Sequence, residues 1–251
     1  MKPALAFSQP TPPNDWQSFV NGELIKSTVE QQLAPWWPKF FGYHLAKIGC
    51  LSEQINTNNC AIKHQFSIVH QLNKGNIVAE LDDLPLLEHS VDVCLLSHVL
   101  EFSLDPHHVI REANRVLIPN GYLVITGFNP FSLAGLNKLI PFRRKQMPWQ
   151  GRFFAPMRIK DWLHLMGFEV LADKRCLHSS LASNSNTHFI SRYWQNFADK
   201  YLPSFGSVYI IIAKKRVLPL TPIKPKWRLQ PSFSHAKGVS AKVNSMHKVS
   251  K

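Results

Sequence analysis

Several residues combine a chemistry-bearing side chain or backbone with a place at the end of an apolar run. Gly49, in "KIGCLSE", follows the first such run, and a glycine there lets the backbone turn sharply and come close to a ligand. Glu80 follows a third run, "NIVAEL", and offers a carboxylate to an amino or hydroxyl group. Ser97 and His98 follow "VDVCLL" and bring a hydroxyl and an imidazole to a strand end. A lone histidine in such a place is more often packed or hydrogen-bonded than a base. His107 and His108 do not read as a metal pair, because neighbours on a helix diverge and no carboxylate or Cys lies at ligand spacing with both. Asp92 opens a buried strand and reads as structural.

The elements that must position these residues alternate between strand and helix patterns. The segment from Asp15, "DWQSFVNGELIKSTVEQQL", is expected as one helix ended by Pro35. The aromatic stretch "PWWPKFFGY" follows; it could roof a site or touch lipid, but aromatics this dense more often cover an open sheet edge, which is the expectation here. Strands are expected at 44–49, 65–70 and 76–81. "VDVCLLSHVLEF" starts as a buried strand, and Asp105 then caps a helix with Pro106 at its first position. Val109, Ile110, Ala113, Val116 and Leu117 recur at helical spacing, giving one apolar stripe. "PNG" at 119–121 is expected to stop that helix and turn the chain into the strand "YLVITGF". Strand, helix, strand with continuous apolar strands is the pattern of a parallel sheet covered on both faces. A helix within "IKDWLHLMG" and strands at 168–176 and 207–216 complete the set.

The chain has 251 residues and a formal net charge of +13, with 29 Lys and Arg against 16 Asp and Glu. Ten of those cations, and no acid, lie in residues 214–251, leaving 19 against 16 in the first 213 residues. The basicity therefore belongs mostly to the tail, which could contact nucleic acid or acidic lipid through phosphates. Its Pro, Ser and Lys content is that of a disordered segment. Residues 129–156 mix Phe131, Phe142, Trp149, Phe153 and Phe154 with Arg143, Arg144, Lys145 and Arg152. That mixture suits a planar or phosphate-bearing substrate, or an insertion packed on the core with a solvated basic turn. Cys50, Cys60, Cys94 and Cys176 form no CxxC pair and read as reduced packing residues of a cytoplasmic protein. The N-terminus breaks into prolines before any long apolar run, so a signal peptide is not expected, and no stretch is long and apolar enough for a membrane span.

Residues 79–130 contain, in order, Leu84-Pro85, Val91-Asp92, His98, Asp105-Pro106, Glu112, Arg115-Val116-Leu117 and Pro119-Asn120-Gly121. This series resembles the middle of class I S-adenosylmethionine-dependent methyltransferases of the type 11 group. The resemblance covers residues 40–216, and the chain as a whole is similar to their bacterial YafS-like branch. It implies a Rossmann-like α/β fold: a seven-stranded sheet, mostly parallel, with the last strand antiparallel beside the fifth and helices on both faces. The division it implies is an N-terminal extension and helix at 1–35, a methyltransferase-like domain at 36–216, and a basic tail at 217–251. The cofactor would be S-adenosylmethionine, held by Gly49, Cys50, Glu80, Leu81, Ser97 and His98. No catalytic residue, methyl acceptor or metal is assigned.

The chain departs from the family's pattern in the first turn. An acid followed by Gly-x-Gly-x-Gly falls here on Lys47, Gly49, Leu51 and Glu53, so Gly49 alone remains. Leu51 and Glu53 put side chains where glycines let backbone and cofactor meet, and Lys47 would repel a cationic ligand unless it faces elsewhere. Residues 55–78 hold no Asp or Glu, so the carboxylate that grips the ribose hydroxyls is missing, and Gln71, Asn73 or Asn76 would have to serve instead. Two functions follow: methyl transfer to an unidentified acceptor, or a methyltransferase fold without catalysis that acts as a binding module, contacting nucleic acid through the tail. A nicotinamide-dependent reductase is disfavoured, because the chain lacks the GxGxxG turn and the acid after strand two.

Overall fold

In a computed structural model of the chain, residues 11–70, 76–143, 146–178, 181 and 205–217 are described. The basic tail beyond Val217, together with Gln71, Asn73, Arg144 and Lys145, lies outside them. The elements are α1 (Gly22–Leu33), β1 (His44–Ile48), α2 (Cys50–Glu53), β2 (His64–Val69), β3 (Ile77–Val78) and β4 (Val91–Ser97). They continue with α3 (Pro106–Val116), β5 (Leu117–Phe128), α4 (Leu133–Asn137), α5 (Pro156–Leu165), β6 (Phe168–Cys176) and β7 (Val208–Lys215).

Among the described residues the strands form one seven-stranded sheet in the order β3-β2-β1-β4-β5-β7-β6. The pairs from β3 through β5 are parallel. β7 runs antiparallel between β5 and β6, as the family resemblance implies. β1, β4 and β5 are apolar almost throughout because both sheet faces are covered. One face packs Ala46, Ile48, Cys94, Leu96, Ile125 and Ile211 against α3 and α5. The other packs Leu45, Val93, Leu95, Val124, Ile210 and Ile212 against α1 and a group of aromatic rings.

α3 begins as its sequence dictates. The Asp105 carboxylate accepts from the N–H groups of His107 and His108 at 3.0 and 3.2 Å, and Pro106 takes the first position. Val109, Ile110, Ala113 and Val116 are all buried. Leu117, which the periodicity gives to the helix, instead opens β5 opposite Val91. The chain thus passes from helix to strand without a turn, and Pro119 to Gly121 fall in an irregular stretch of the strand.

Three other expectations are corrected. The helix expected from Asp15 is two pieces, a 3-10 turn at Trp16–Ser18 and then α1. The break lets Trp16 and Phe19 both turn into the core, and Gly22 lies so close to the Trp16 carbonyl that a Cβ would sit 1.6 Å from its oxygen. The strand expected at 76–81 is only Ile77–Val78, and Glu80 and Leu81 belong to the turn that follows. The aromatic stretch lies across a sheet face rather than an edge: Trp37 and Phe40 are buried, and Phe40 packs on Tyr122 of β5 at 4.9 Å.

Candidate functional site

The carboxyl ends of β1, β2 and β4 point to one side of the sheet, where diverging loops of a doubly wound fold leave a crevice. A cleft there is lined by Gly49, Cys50, Leu51, His70, Glu80, Leu81, Asp82, Ser97 and His98, with Val99, Phe102, Ser103, Leu104, Pro12 and Pro13. All six residues expected at the cofactor site therefore meet in one place. Asn76 is not among the lining residues, because its side chain is bound to Ser67 of β2. His70, directly after β2, also lines the cleft; it had no sequence signal beyond its place after an apolar run.

Gly49 is required by the backbone. Its φ is +91°, a Cβ would sit 2.8 Å from a Val99 methyl, and its N–H donates to the Ile68 carbonyl at 2.8 Å. The turn then closes a single helical turn, α2, in which Leu51 is buried in the core and contributes to the cleft lining. Two buried bonds fix it: Trp16 Nε1 donates to the Leu51 carbonyl at 3.2 Å, and the Ser97 N–H donates to Ser52 Oγ at 2.7 Å. Lys47 does face elsewhere. Its ammonium donates to the carbonyls of Ile55 and Glu53 at 3.0 and 3.5 Å, closing the end of α2, and burial lowers its pKa.

Ser97 and His98 line the cleft with their side chains engaged in the core. The Ser97 hydroxyl is bonded to Thr126 Oγ1 at 2.9 Å. The His98 ring is wholly buried, tilted against Phe128 with centroids 4.1 Å apart and edged by Trp16 at 5.5 Å. His98 has φ +52°, held by its N–H on the Thr126 carbonyl, and its Nδ1 lies 3.5 Å from Glu101 Oε1. Glu101 is fully buried and accepts from the Phe128 N–H at 2.7 Å. Tyr209, equally buried beside it, has its phenol pKa pushed up, first by burial and then by the Glu101 charge. The sequence reading missed the roles of Trp16 and Glu101, since both depend on partners far along the chain.

The turn holding Glu80 and Asp82 is clamped from α3. Arg115 pairs with Glu112 at 2.7 Å and donates to the Leu86 and Leu84 carbonyls at 2.8 and 2.9 Å, while the Leu84 N–H donates to Glu112. The hydrogen bond from Arg115 holds the Glu112 pKa below the usual range. Asp92 has the structural role expected of it, accepting from the N–H groups of Tyr43 and His44 at 2.8 Å each. His107 lies over Trp162 with ring centroids 3.9 Å apart, and among the described residues no cluster could hold a metal ion.

With this geometry in view, known proteins supply a context. A family described as "Methyltransferase domain" matches residues 48–125, from the end of β1 into β5. The protein YafS of Escherichia coli (strain K12) is 41% identical over 221 residues, covering 88% of each chain. A crystal structure of a SAM-dependent methyltransferase from Archaeoglobus fulgidus superposes with a TM-score of 0.54 at 21% identity, covering 76% of this chain and 94% of that one. The [4+2]-cyclase SpnF superposes with 0.53 at 18% identity, covering 85% and 88%. At these identities the two structures speak for the fold alone, and the second shows that the fold also carries other chemistry.

Proposed function

The chain belongs to the class I S-adenosylmethionine-dependent methyltransferases of YafS-like type, with S-adenosylmethionine as cofactor, and from that premise we propose that it is a working methyltransferase whose cofactor lies in the Gly49–Glu80 cleft. One observation carries this reading. In a chain of net charge +13, the described residues lining the cleft include Glu80 and Asp82 and no Lys or Arg. A sulfonium cation and an ammonium group fit such a lining, and an anionic ligand does not. The turn of Lys47 away from the cleft supports the same fit.

When bound, the cofactor supplies a methyl group on a positively charged sulfur, open to in-line displacement. The chain's contribution is placement and the exclusion of water. Gly49, Cys50, Ser97 and His98 line the cleft at fixed positions at the ends of β1 and β4, Leu81 and Leu51 offer apolar walls, and Glu80 would accept from an amino or hydroxyl group. Trp16, Phe19 and Phe128 seal the His98 ring from the cleft, so no proton-transfer step is assigned to it. The acceptor would approach from the segments after β4 and β5. Four free thiols among the described residues support a reducing, cytoplasmic setting.

The test is isothermal titration with S-adenosylmethionine and, separately, S-adenosylhomocysteine. Micromolar binding of both supports the reading. A folded sample that binds neither at millimolar ligand sinks it and leaves the fold as a binding module.

A further inference from the structure

The segment after β5 carries an amphipathic pattern turned inside out. A surface helix of a soluble protein presents its large apolar side chains inward. In α4 the small residues are inward: Ala134 and Gly135 are buried, and the Ala134 carbonyl accepts from buried Trp149 Nε1 at 2.8 Å. The large residues point out. Phe131, Leu136, Leu139 and Phe142 are 67%, 58%, 68% and 88% exposed, with Leu133 and Ile140 beside them. Single exposed apolar residues need no explanation, but six within twelve residues form a patch of the kind that marks an interaction site.

Charge identifies the occupant. Residues 129–160 contain seven Lys and Arg and no Asp or Glu. Arg143 is held at the border of the patch, donating to Asn137 Oδ1 at 2.8 Å and lying over the Trp149 ring. An apolar patch bordered by Arg143, in a segment whose only charges are cations, matches the headgroup boundary of an anionic bilayer. A second copy of the chain would bring a segment of like charge to the same contact. Nucleic acid would gain from the cations, yet the exposed leucines and isoleucine offer no stacking surface to bases.

We infer that this face docks on a membrane surface rich in anionic phospholipid, inserting Phe131, Leu136, Leu139 and Phe142 among the headgroups. No helix among the described residues is long and apolar enough to cross a membrane, so the association is peripheral. The face lies at the carboxyl end of β5, the same end of the sheet as the cleft. The inference is independent of methyl transfer.

The full chain is sedimented with phosphatidylcholine vesicles, with and without phosphatidylglycerol. It should co-sediment with the phosphatidylglycerol vesicles, and the triple variant L136S/L139S/F142S, which keeps every charge, should lose binding at least about tenfold. A wild-type chain that stays in the supernatant overturns the inference. So does a triple variant with an unchanged thermal transition and undiminished binding, because the basic tail alone would then account for it. In a Phe142→Trp variant, brominated phospholipid should quench the fluorescence that this tryptophan adds. Absence of that quenching on bound vesicles, or displacement from them by single-stranded RNA, also overturns it.

Discussion

The turn after β1 and the unit running from β4 through α3 into β5 share one sheet, and they relate to their family in opposite ways. In the second, the family's residues are present and most of them build the fold: Asp105 caps α3, and Glu112 with Arg115 clamps the Leu84 loop. In the first, the family's residues are largely replaced, and the rebuilt turn is tied to its neighbours in the fold. Leu51 is buried under Trp16, Ser52 holds Ser97, and Lys47 closes α2. A retained motif can therefore report on architecture, and a degenerate one can report on a rebuilt support for the same cleft.

The largest break in the turn should come from Trp16→Ala. It removes a fully buried ring and the bond to the Leu51 carbonyl, and should cost about 3–5 kcal/mol in denaturant unfolding. At a temperature where the variant stays folded, its S-adenosylmethionine affinity should fall as well. Unchanged affinity would mean that the turn holds itself and that Trp16 serves only the core.

On the other side of the comparison, Arg115→Ala should cost about 2–3 kcal/mol, since it unpairs Glu112 and frees two loop carbonyls. The pH dependence has a definite sign. The Glu112 pKa is lowered in the folded chain, first by the hydrogen bond from Arg115, so its stabilisation is complete above the ordinary carboxyl value of about 4.3. It is lost as pH falls through the lowered value. The stability gap between wild type and Glu112→Gln should be flat from neutral pH down to about 5 and should close below about 4. A gap that widens in acid would remove the clamp from the account.

These residues also show what the sequence could disclose. Local chemistry was legible: the Asp105-Pro106 cap, the α3 stripe and the buried strands follow from neighbours a few residues apart. Strand order and the insertion of β7 were legible only through resemblance, because pairing across the sheet leaves no local mark. The six expected site residues do line one cleft, yet the sequence could not show which of their side chains are engaged in the core. The His98 ring is turned into the core by Trp16 and Phe128, which lie 82 and 30 positions away in the numbering. Lys47 looked hostile to the cofactor for the same reason, since its carbonyl partners are set by where α2 ends.

A smaller effect is expected from Ser52→Ala, which leaves the buried N–H of Ser97 without its acceptor and should cost about 1–2 kcal/mol. Ser52→Thr, which retains a hydroxyl, separates loss of the bond from loss of volume. If the alanine variant is as stable as wild type, the link between α2 and β4 does not support the turn.

The smallest change in stability, and the most informative about the cleft, should come from Glu80→Ala. Glu80 is exposed and lies in the turn after β3, outside the clamp itself, so its removal should leave stability within about 0.5 kcal/mol. It nevertheless belongs to a cleft lining that includes no Lys or Arg among the described residues. If it accepts hydrogen bonds from the cofactor, titration should show affinity about tenfold weaker, and Glu80→Gln, which keeps the shape but not the charge, should fall between. Equal affinity in all three proteins would place the cofactor's polar contacts elsewhere in the cleft, with Asp82 and His70 the next side chains to test. An affinity loss accompanied by a large fall in stability would instead make Glu80 part of the frame, and the contrast between the two regions would no longer hold at this residue.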